Sequence, residues 1–201
     1  MFVMTVDQEG SRSAGDRVPE LLEDLAAAEP ARYAIRPFSR TVGDEVQAVF
    51  ADPERAVSTA LMLLRRGGWS VGLGAGPVDE PLPAESRAGS GPAFVLAREA
   101  VERAKSRSRP VPLAVVGVDA DRAGECEAVL TMLGSVSRRR SEAGWAAVDA
   151  LLAQPRGSQE DLARTLGISQ QAVSQRLRGA QWYEEAALVP LAVRLLEEAQ
   201  G

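Results

Sequence analysis

The chain has 201 residues, enough for one large or two modest domains. Hydrophobic residues make up 45% and charged residues 25%, an ordinary globular composition, and no apolar run reaches the ~18 residues of a membrane-spanning helix. The absence of histidine excludes Ser-His-Asp and Cys-His catalysis and His-ligated zinc, while the net charge of -5 argues against a generally basic, nucleic-acid-coating surface. The single cysteine, Cys126, cannot form an internal disulfide, and we expect a cytoplasmic protein without a signal peptide or membrane segment.

The first 137 residues alternate strand-like and helix-like patterns, with turn signals between them. One of these signals is the Gly43-Asp44 pair, which is suited to a two-residue hairpin turn. Strands are predicted over 2–6, 33–41, 45–50, 69–74 and 111–118, and helices over 16–28, 53–66, 94–105 and 121–133. The first six elements have the order βαββαβ, the split arrangement of ferredoxin-like folds. This order predicts an α+β sandwich with a mainly antiparallel sheet.

The remainder of the chain has helical patterns only. Helices are predicted over 142–154, 159–166, 170–177 and 183–199. We place a domain boundary at the basic run 137–140, which gives an α+β domain of residues 1–137 and a small all-α domain of residues 138–201. The arginine pair 65–66 and the basic stretch 103–109 are interpreted as solvated faces.

The segment SQEDLARTLGISQQAVSQRLRGA (158–180) has the pattern of two short helices joined by a tight turn. Ser158 and Asp161 are spaced as a capping box. Gly167 falls where the turn needs a positive φ, which costs little only for glycine. Ser169 is expected to cap the second helix. The side chains predicted to face inward are Leu162, Ala163, Ile168, Val173 and Leu177.

The outward face of the second helix is rich in glutamine and has no acidic residue between Ser169 and Arg178. Glutamine can form two hydrogen bonds to adenine, arginine can do so to guanine, and serine suits a phosphate or a base. The segment resembles the helix-turn-helix of bacterial transcription regulators. The residues predicted to contact double-stranded DNA are Arg140, Ser158, Arg164, Ser169, Gln170, Gln171, Ser174, Gln175 and Arg178. A hairpin used only for packing is the alternative, but it has no need for such a face.

Two aspartates in the first domain are candidates for a metal site. Asp7 ends the first strand and Asp44 lies in the predicted hairpin turn, and the first and third strands of a βαββ unit can lie side by side. With the Gly10-Ser11 loop, these carboxylates would suit a Mg²⁺-bound triphosphate, which needs hard oxygen ligands and backbone N–H donors. From spacing alone, a strand-ending aspartate and a turn aspartate without a metal are the favoured interpretation.

Four segments in this order resemble the catalytic domain of class III nucleotidyl cyclases. They are VDQEGSR (6–12), RTVGDEVQAVF (40–50), VGLGAG (71–76) and GPAFVLAREA (91–100). The chain is more similar still to the SatD family, which joins such a domain to a C-terminal helix-turn-helix. The resemblance implies a nucleotidyl cyclase-like fold for residues 1–137 and homodimerisation through that domain. It also implies a site at the subunit interface, where Asp7 and Asp44 match the two metal-binding aspartates.

The chain departs from the cyclase pattern at the positions that hold the nucleoside. Active cyclases carry Asn-x-x-x-Arg after the glycine loop; here Phe94 replaces the asparagine that orients the ribose, whereas Arg98 keeps the arginine. Arg40 occupies the position of the base-selecting lysine or glutamate. The nucleotide-binding residues that the resemblance implies are Asp7, Gly10, Ser11, Arg12, Arg40, Gly43, Phe94 and Arg98. Because a misplaced ribose is costly in a reaction that depends on alignment, we expect no turnover.

The sequence therefore predicts a homodimeric, DNA-binding transcription regulator rather than an enzyme. Its first domain dimerises and binds a nucleotide, with Mg²⁺, or another phosphorylated small molecule, or serves only as a dimerisation platform. The alternative is a divergent Mg²⁺-dependent nucleotidyl cyclase that carries a helix-turn-helix domain.

Overall fold

The computed structural model of the protein describes residues 1–11 and 15–201, which form an α+β structure around a five-stranded mixed sheet. The strands are β1 (Phe2–Gln8), β2 (Arg36–Arg40), β3 (Glu45–Phe50), β4 (Trp69–Ala75) and β5 (Leu113–Gly117). Their order in the sheet is β2-β3-β1-β4-β5, and neighbours are antiparallel except for the parallel pair β4 and β5. The α+β prediction is confirmed at this level.

The helices connect and cover the strands. They are α1 (Val18–Ala27), α2 (Glu29–Arg32), α3 (Pro53–Arg66), α4 (Pro92–Ala104), α5 (Ala120–Arg139), α6 (Glu142–Ala153), α7 (Gln159–Leu166), α8 (Gln170–Gly179) and α9 (Trp182–Glu198), with a short 3-10 helix at Ser86–Ala88. The predicted strand from residue 33 was wrong at its start, because α2 and its following turn occupy residues 29–34. The predicted helix 121–133 continues to Arg139, so the basic run forms the last turn of α5.

The hairpin between β2 and β3 is longer than the predicted two-residue turn. Thr41–Asp44 separate the two strands, and Gly43 has the positive φ of +62° that favours glycine. The N–H of Thr41 donates to the Glu45 carbonyl at 2.9 Å, and the Glu45 N–H donates back to Val42 at 3.2 Å. These bonds close a four-residue loop, and Asp44 is therefore its last residue.

The two faces of the sheet are covered differently. One face carries the larger core, where α1, α3 and α5 cover the strands and α9 packs against α3 and α5. On the other face α4 lies directly against the backbone of β4, since Gly72 and Gly74 have no side chain. A Cβ at Gly72 would come 2.3 Å from the Val101 nitrogen, and one at Gly74 would come 2.3 Å from the Ala93 oxygen. The glycines thus fix α4, and the residues at its two ends, close to the sheet.

A second core lies among the C-terminal helices. It is formed by α6, α7, α8 and the following turn, with buried side chains that include Val148, Leu162, Val173 and Leu177. Helix α9 joins both cores: Trp182 packs at the second core, whereas Leu195 and Leu196 lie in the larger one. The division at residue 137 stays a prediction, and α9 shows that the two parts of the chain are packed together.

Candidate functional site

The segment predicted to read DNA forms two short helices, α7 and α8, with local signals at each boundary. The Ser158 hydroxyl accepts from the Asp161 N–H at 3.2 Å, and the Asp161 carboxylate accepts from the Ser158 N–H at 3.0 Å. This reciprocal pair is the predicted capping box. The hydrogen bond from the Ser158 hydroxyl, with help from the Ser158 N–H and Arg164, lowers the pKa of Asp161.

Three residues connect the two helices. Gly167 adopts the left-handed conformation, with φ 63° and ψ 32°, and the Ile168 N–H donates to the Ala163 carbonyl at 3.0 Å. The Ser169 hydroxyl then caps α8 by accepting from the Ala172 N–H at 3.2 Å. The predicted turn and cap are confirmed, and they set the angle at which α8 leaves α7.

The outward side of α8 is polar and accessible. Gln170, Gln171, Gln175 and Arg178 are exposed, whereas Val173 and Leu177 lie in the second core. A cleft of about 580 Å³ runs along this face and is lined by Gln159, Gln170, Gln171, Ser174, Gln175 and Arg178. Amides, a hydroxyl and one guanidinium therefore form the lining, and the described residues contribute no carboxylate to it. Such a surface can donate to and accept from base edges.

The cations predicted to support this face differ in availability. Arg178, in the last turn of α8, is exposed. Arg164 is exposed as well, but its guanidinium forms ion pairs with Asp161 at 3.0 Å and Glu160 at 3.6 Å. Ser158 and Ser169 are exposed, although each hydroxyl already caps a helix. Positive charge on the face is consequently sparse.

Arg140 is a correction to the sequence prediction. Its side chain has an exposed fraction of 0%, and its Nε donates to the Ala180 carbonyl at 2.9 Å. A second guanidinium nitrogen pairs with Glu185, and the group lies 4.2 Å from the centre of the Trp145 ring. This burial argues against a contact between Arg140 and DNA phosphates. The residue instead ties the start of α6 to α9.

The sheet brings Asp7, near the end of β1, close to Asp44, the loop residue that precedes β3. Asp7 is paired with Glu45 across β1 and β3, and the next residue of β1, Gln8, donates its N–H to the Asp44 carbonyl at 3.3 Å. Burial raises the pKa of Asp7, an effect that Lys105 opposes and the nearby negative charges of Asp44 and Glu45 reinforce. The predicted juxtaposition of the two aspartates is therefore present at this end of the sheet.

Asp7 already has a cationic partner, which the sequence analysis missed. The Lys105 ammonium lies 2.9 Å from the Asp7 Oδ1 and 2.7 Å from the Glu102 Oε1. Within residues 1–11 and 15–201, no group of three or more acidic, histidine or cysteine side chains could hold a metal ion. The topology indicates the position of Lys105. Helix α4 connects the parallel strands β4 and β5, so its C-terminal end lies near the start of β5. Because β1 is antiparallel to β4, the end of β1 lies at this same edge of the sheet.

A basic cleft adjoins this ion pair. It has a volume of about 550 Å³ and is lined by Asp7, Gly10, Lys105, Arg107, Arg109 and Arg138, among others. Arg109 is held by Glu127 and by the Leu113 carbonyl, which its Nε reaches at 2.9 Å. The stretch 103–109 is therefore more than a solvated face, since it contributes cations to a cleft of ligand size.

The other predicted nucleotide-binding residues lie elsewhere. Phe94, with an exposed fraction of 9%, and Arg98 line a separate cleft of about 660 Å³. A Cβ on Gly89 would come within 2.1 Å of the Phe94 ring, so the ring fills the space beside this glycine. Arg98 lies 3.7 Å from Glu45.

The remaining members of that set are dispersed as well. Arg40 pairs with Asp16, and Gly43 is exposed in the hairpin loop. Gly10 lines the basic cleft, but Ser11 does not, and Arg12 lies outside the described residues. Within one chain the implied nucleotide site is thus divided between two clefts.

Comparison of the chain with family models, with curated proteins and with solved structures yields no match. In the described part of the chain, no helix combines the length and the apolarity needed to cross a membrane.

Proposed function

We propose that the protein is a transcription regulator that binds double-stranded DNA through α7 and α8. The observation that carries this proposal is the accessible, amide-rich and carboxylate-free face of α8. A helix-turn-helix lays its second helix in the major groove, where glutamine and arginine side chains can distinguish bases. A hairpin used only for packing would not need Gln170, Gln171 and Gln175 on an open surface.

The sparse positive charge of this face favours DNA binding as a homodimer. One copy presents few uncompensated cations, because Arg140 is buried and Arg164 is shared between two carboxylates. Phosphate contacts supply much of DNA affinity, so a single copy would bind weakly and two half-sites would compensate. We place the dimer contact in residues 1–137, where Val42 and Val95 are 79% and 69% exposed.

For residues 1–137 we propose a degenerate nucleotidyl cyclase-like domain of the SatD type that binds a nucleotide or another phosphorylated ligand without turnover. The basic cleft supports an anionic ligand, since Arg107 and Arg138 line it and neither forms an ion pair with a described carboxylate. The rival cyclase would need Asp7 free to bind Mg²⁺ and a residue at position 94 that orients a ribose. Lys105 engages Asp7, and Phe94 is packed beside Gly89, which favours binding over catalysis.

Selection from a pool of random-sequence duplexes, with the full chain as bait, tests the DNA-binding proposal. We expect enrichment of a motif that binds at least about 10³-fold more tightly than a scrambled duplex, the lower end of the usual specificity ratios of about 10³ to 10⁷. Failure to enrich any motif would contradict the proposal. Incubation with Mn²⁺ and ATP or GTP tests the rival, because a cyclic product would identify an enzyme.

A further inference from the structure

The basic cleft at the end of β1 has more cationic than anionic side chains. The charged residues of its described lining are Lys105, Arg107, Arg109, Arg138, Asp7 and Glu9. The cations therefore outnumber the carboxylates, and a cleft with an excess of one sign of charge attracts a ligand of the opposite sign.

The three arginines of the cleft differ in how far they are neutralised. Arg109 forms an ion pair with Glu127, whereas Arg107 and Arg138 are exposed and pair with no described carboxylate. Arg138 also donates to the Pro110 carbonyl at 3.3 Å, which holds it beside the loop that follows α4. Two guanidinium groups are thus available, and each can bind two phosphate oxygens at once. Together they match two linked phosphate groups.

Lys105 adds a third donor to the cleft. Its ammonium lies 2.9 Å from the Asp7 Oδ1 and 2.7 Å from the Glu102 Oε1. An ammonium has three N–H donors, so these two carboxylates leave one donor for a ligand. Lys105 therefore places a positive charge at Asp7 and retains a hydrogen bond for an anion in the cleft.

The residues around Asp7 do not suit Mg²⁺. This ion requires a near-ideal octahedron of about six oxygen ligands. Lys105 engages one Asp7 oxygen, and the Glu45 carboxylate accepts from the Thr41 hydroxyl at 2.6 Å. Of the two carboxylates whose charge acts on Asp7, only Asp44 is left to bind a metal ion. A divalent cation would also lie beside the Lys105 ammonium, and like charges repel.

The basic cleft offers little to a nucleobase. Among its described lining residues there is no aromatic side chain, and the apolar side chains are those of Ala104 and Pro112. Proteins commonly hold a base by stacking it on an aromatic ring. The cleft is therefore suited to the phosphate groups of a ligand rather than to its base.

We infer that the basic cleft binds a diphosphate group without a metal ion, and that Lys105 supplies at Asp7 the positive charge that Mg²⁺ would otherwise bring. Arg107 and Arg138 bind the phosphate oxygens. This inference rests on the proposed ligand binding by residues 1–137 and assigns its chemistry. A nucleoside diphosphate and free pyrophosphate both present this group.

The experiment titrates the full chain with inorganic pyrophosphate, inorganic phosphate and ADP, in EDTA and in excess Mg²⁺. In EDTA we expect pyrophosphate to bind at least about 10-fold more tightly than phosphate, because it engages both arginines. ADP is expected to bind within about 3-fold of pyrophosphate, since the lining holds no base. Mg²⁺ is expected to weaken binding, because it neutralises part of the charge of the free anion.

Three variants test the residues. Arg107→Ala and Arg138→Ala are each expected to weaken pyrophosphate binding in EDTA about 10-fold. Lys105→Ala frees the Asp7 carboxylate and is expected to reverse the effect of Mg²⁺, so that binding is weak in EDTA and stronger when the ion is added. A lysine with only a structural role would not reverse this effect.

Arg139→Ala is the matched control. Arg139 is the exposed neighbour of Arg138 and does not line the cleft. We expect pyrophosphate affinity within about 2-fold of wild type, since this variant removes a distant surface charge only. The melting temperature of each variant without ligand separates loss of contact from loss of fold.

Four results would overturn the inference. They are wild-type binding of pyrophosphate only with Mg²⁺, wild-type affinity in both arginine variants, weakening of Lys105→Ala binding by Mg²⁺, and binding of ADP without binding of pyrophosphate. If ATP and GTP as well as these three compounds failed to bind with and without Mg²⁺, the proposed ligand binding itself would be contradicted, and the inference would fall with it.

Discussion

Arg65 and Asp149 join the two parts of the chain by a bidentate ion pair. The guanidinium nitrogens of Arg65, in the last turn of α3, lie 2.6 and 2.7 Å from the two carboxylate oxygens of Asp149 on α6. The same guanidinium lies 3.7 Å from the centre of the Trp145 ring. Two parallel N–H···O bonds fix direction as well as distance, so this contact orients the C-terminal helices relative to the sheet.

Loss of this contact is expected to loosen α6 locally. Arg65→Ala removes an ion pair of half-exposed side chains and a cation–π contact, for a cost of about 1 kcal/mol. Hydrogen exchange is expected to quicken in α6, α7 and α8. The matched control is Arg66→Ala, since Arg66 pairs with Glu20 and Asp24 of α1 and not with α6. The same exchange pattern in both variants would contradict a joining role for Arg65.

Arg140→Ala is expected to destabilise the protein rather than to weaken phosphate contacts. Removal of a buried guanidinium leaves Glu185 and the Ala180 carbonyl without their partner, which typically costs about 3–5 kcal/mol. Thermal unfolding measures this loss. Arg139→Ala is the control, because the neighbouring Arg139 is exposed and its loss is expected to leave stability within about 0.5 kcal/mol. Equal melting temperatures for the two variants would contradict this account.

Local signals in the sequence were sufficient for α7 and α8. Ser158, Gly167 and Ser169 each act on the few residues around them, so the bounds of α7 and the start of α8 follow from the chain itself. The contact between Arg65 and Asp149 spans 84 residues, and no local pattern indicates it. The burial of Arg140 also depends on a distant contact, with Glu185 of α9. In the sequence alone, a basic run at the end of a helix is typical of a solvent-exposed face.

Asp7 and Asp161 are expected to give opposite dependences of stability on pH. Burial, the largest effect, raises the pKa of Asp7 above its usual 3.8, so the folded state binds the proton more tightly than the unfolded state. Protonated Asp7 therefore contributes to the free energy of unfolding. This contribution is fully present below pH 3.8 and is lost as the pH rises through the raised pKa. Asp7→Asn is therefore expected to be more stable than wild type at pH 7, with a difference that shrinks on acidification.

Asp161 provides the contrast. Its pKa is lowered from 3.8 by Ser158 and Arg164, so its contribution is present above pH 3.8 and is lost as the pH falls through the lowered value. Asp161→Asn is expected to be less stable than wild type at pH 7, again with a difference that shrinks in acid. Thermal unfolding from pH 2 to pH 7 measures both variants. Parallel curves for Asp7→Asn and wild type would contradict the assignment of Asp7.

The full chain is expected to be a dimer whose contact includes Val95 and Val42. The full chain is the proper sample, because deletion of residues 139–201 would remove Leu195 and Leu196 from the larger core. Val95→Arg places a charge in the proposed contact and is expected to yield a monomer in light scattering. Met132→Arg is the control, since Met132 is 57% exposed on α5, outside the proposed contact. A monomeric wild type, or a dimeric Val95→Arg, would contradict this placement.

The reading of DNA bases by α8 is tested most directly at Gln171 and Arg178. Both side chains are exposed and line the same cleft, and each can form two hydrogen bonds to one base. Gln171→Ala or Arg178→Ala is expected to cost about 1–3 kcal/mol on the selected duplex and to relax specificity at one base pair. Binding to a scrambled duplex is expected to change little for Gln171→Ala, because the neutral amide contributes no salt-dependent term. Titration of selected, single-substituted and scrambled duplexes measures these effects. If both variants bound the selected duplex like wild type, α8 would not be the reading helix, and the transcription-regulator proposal would lose its main support.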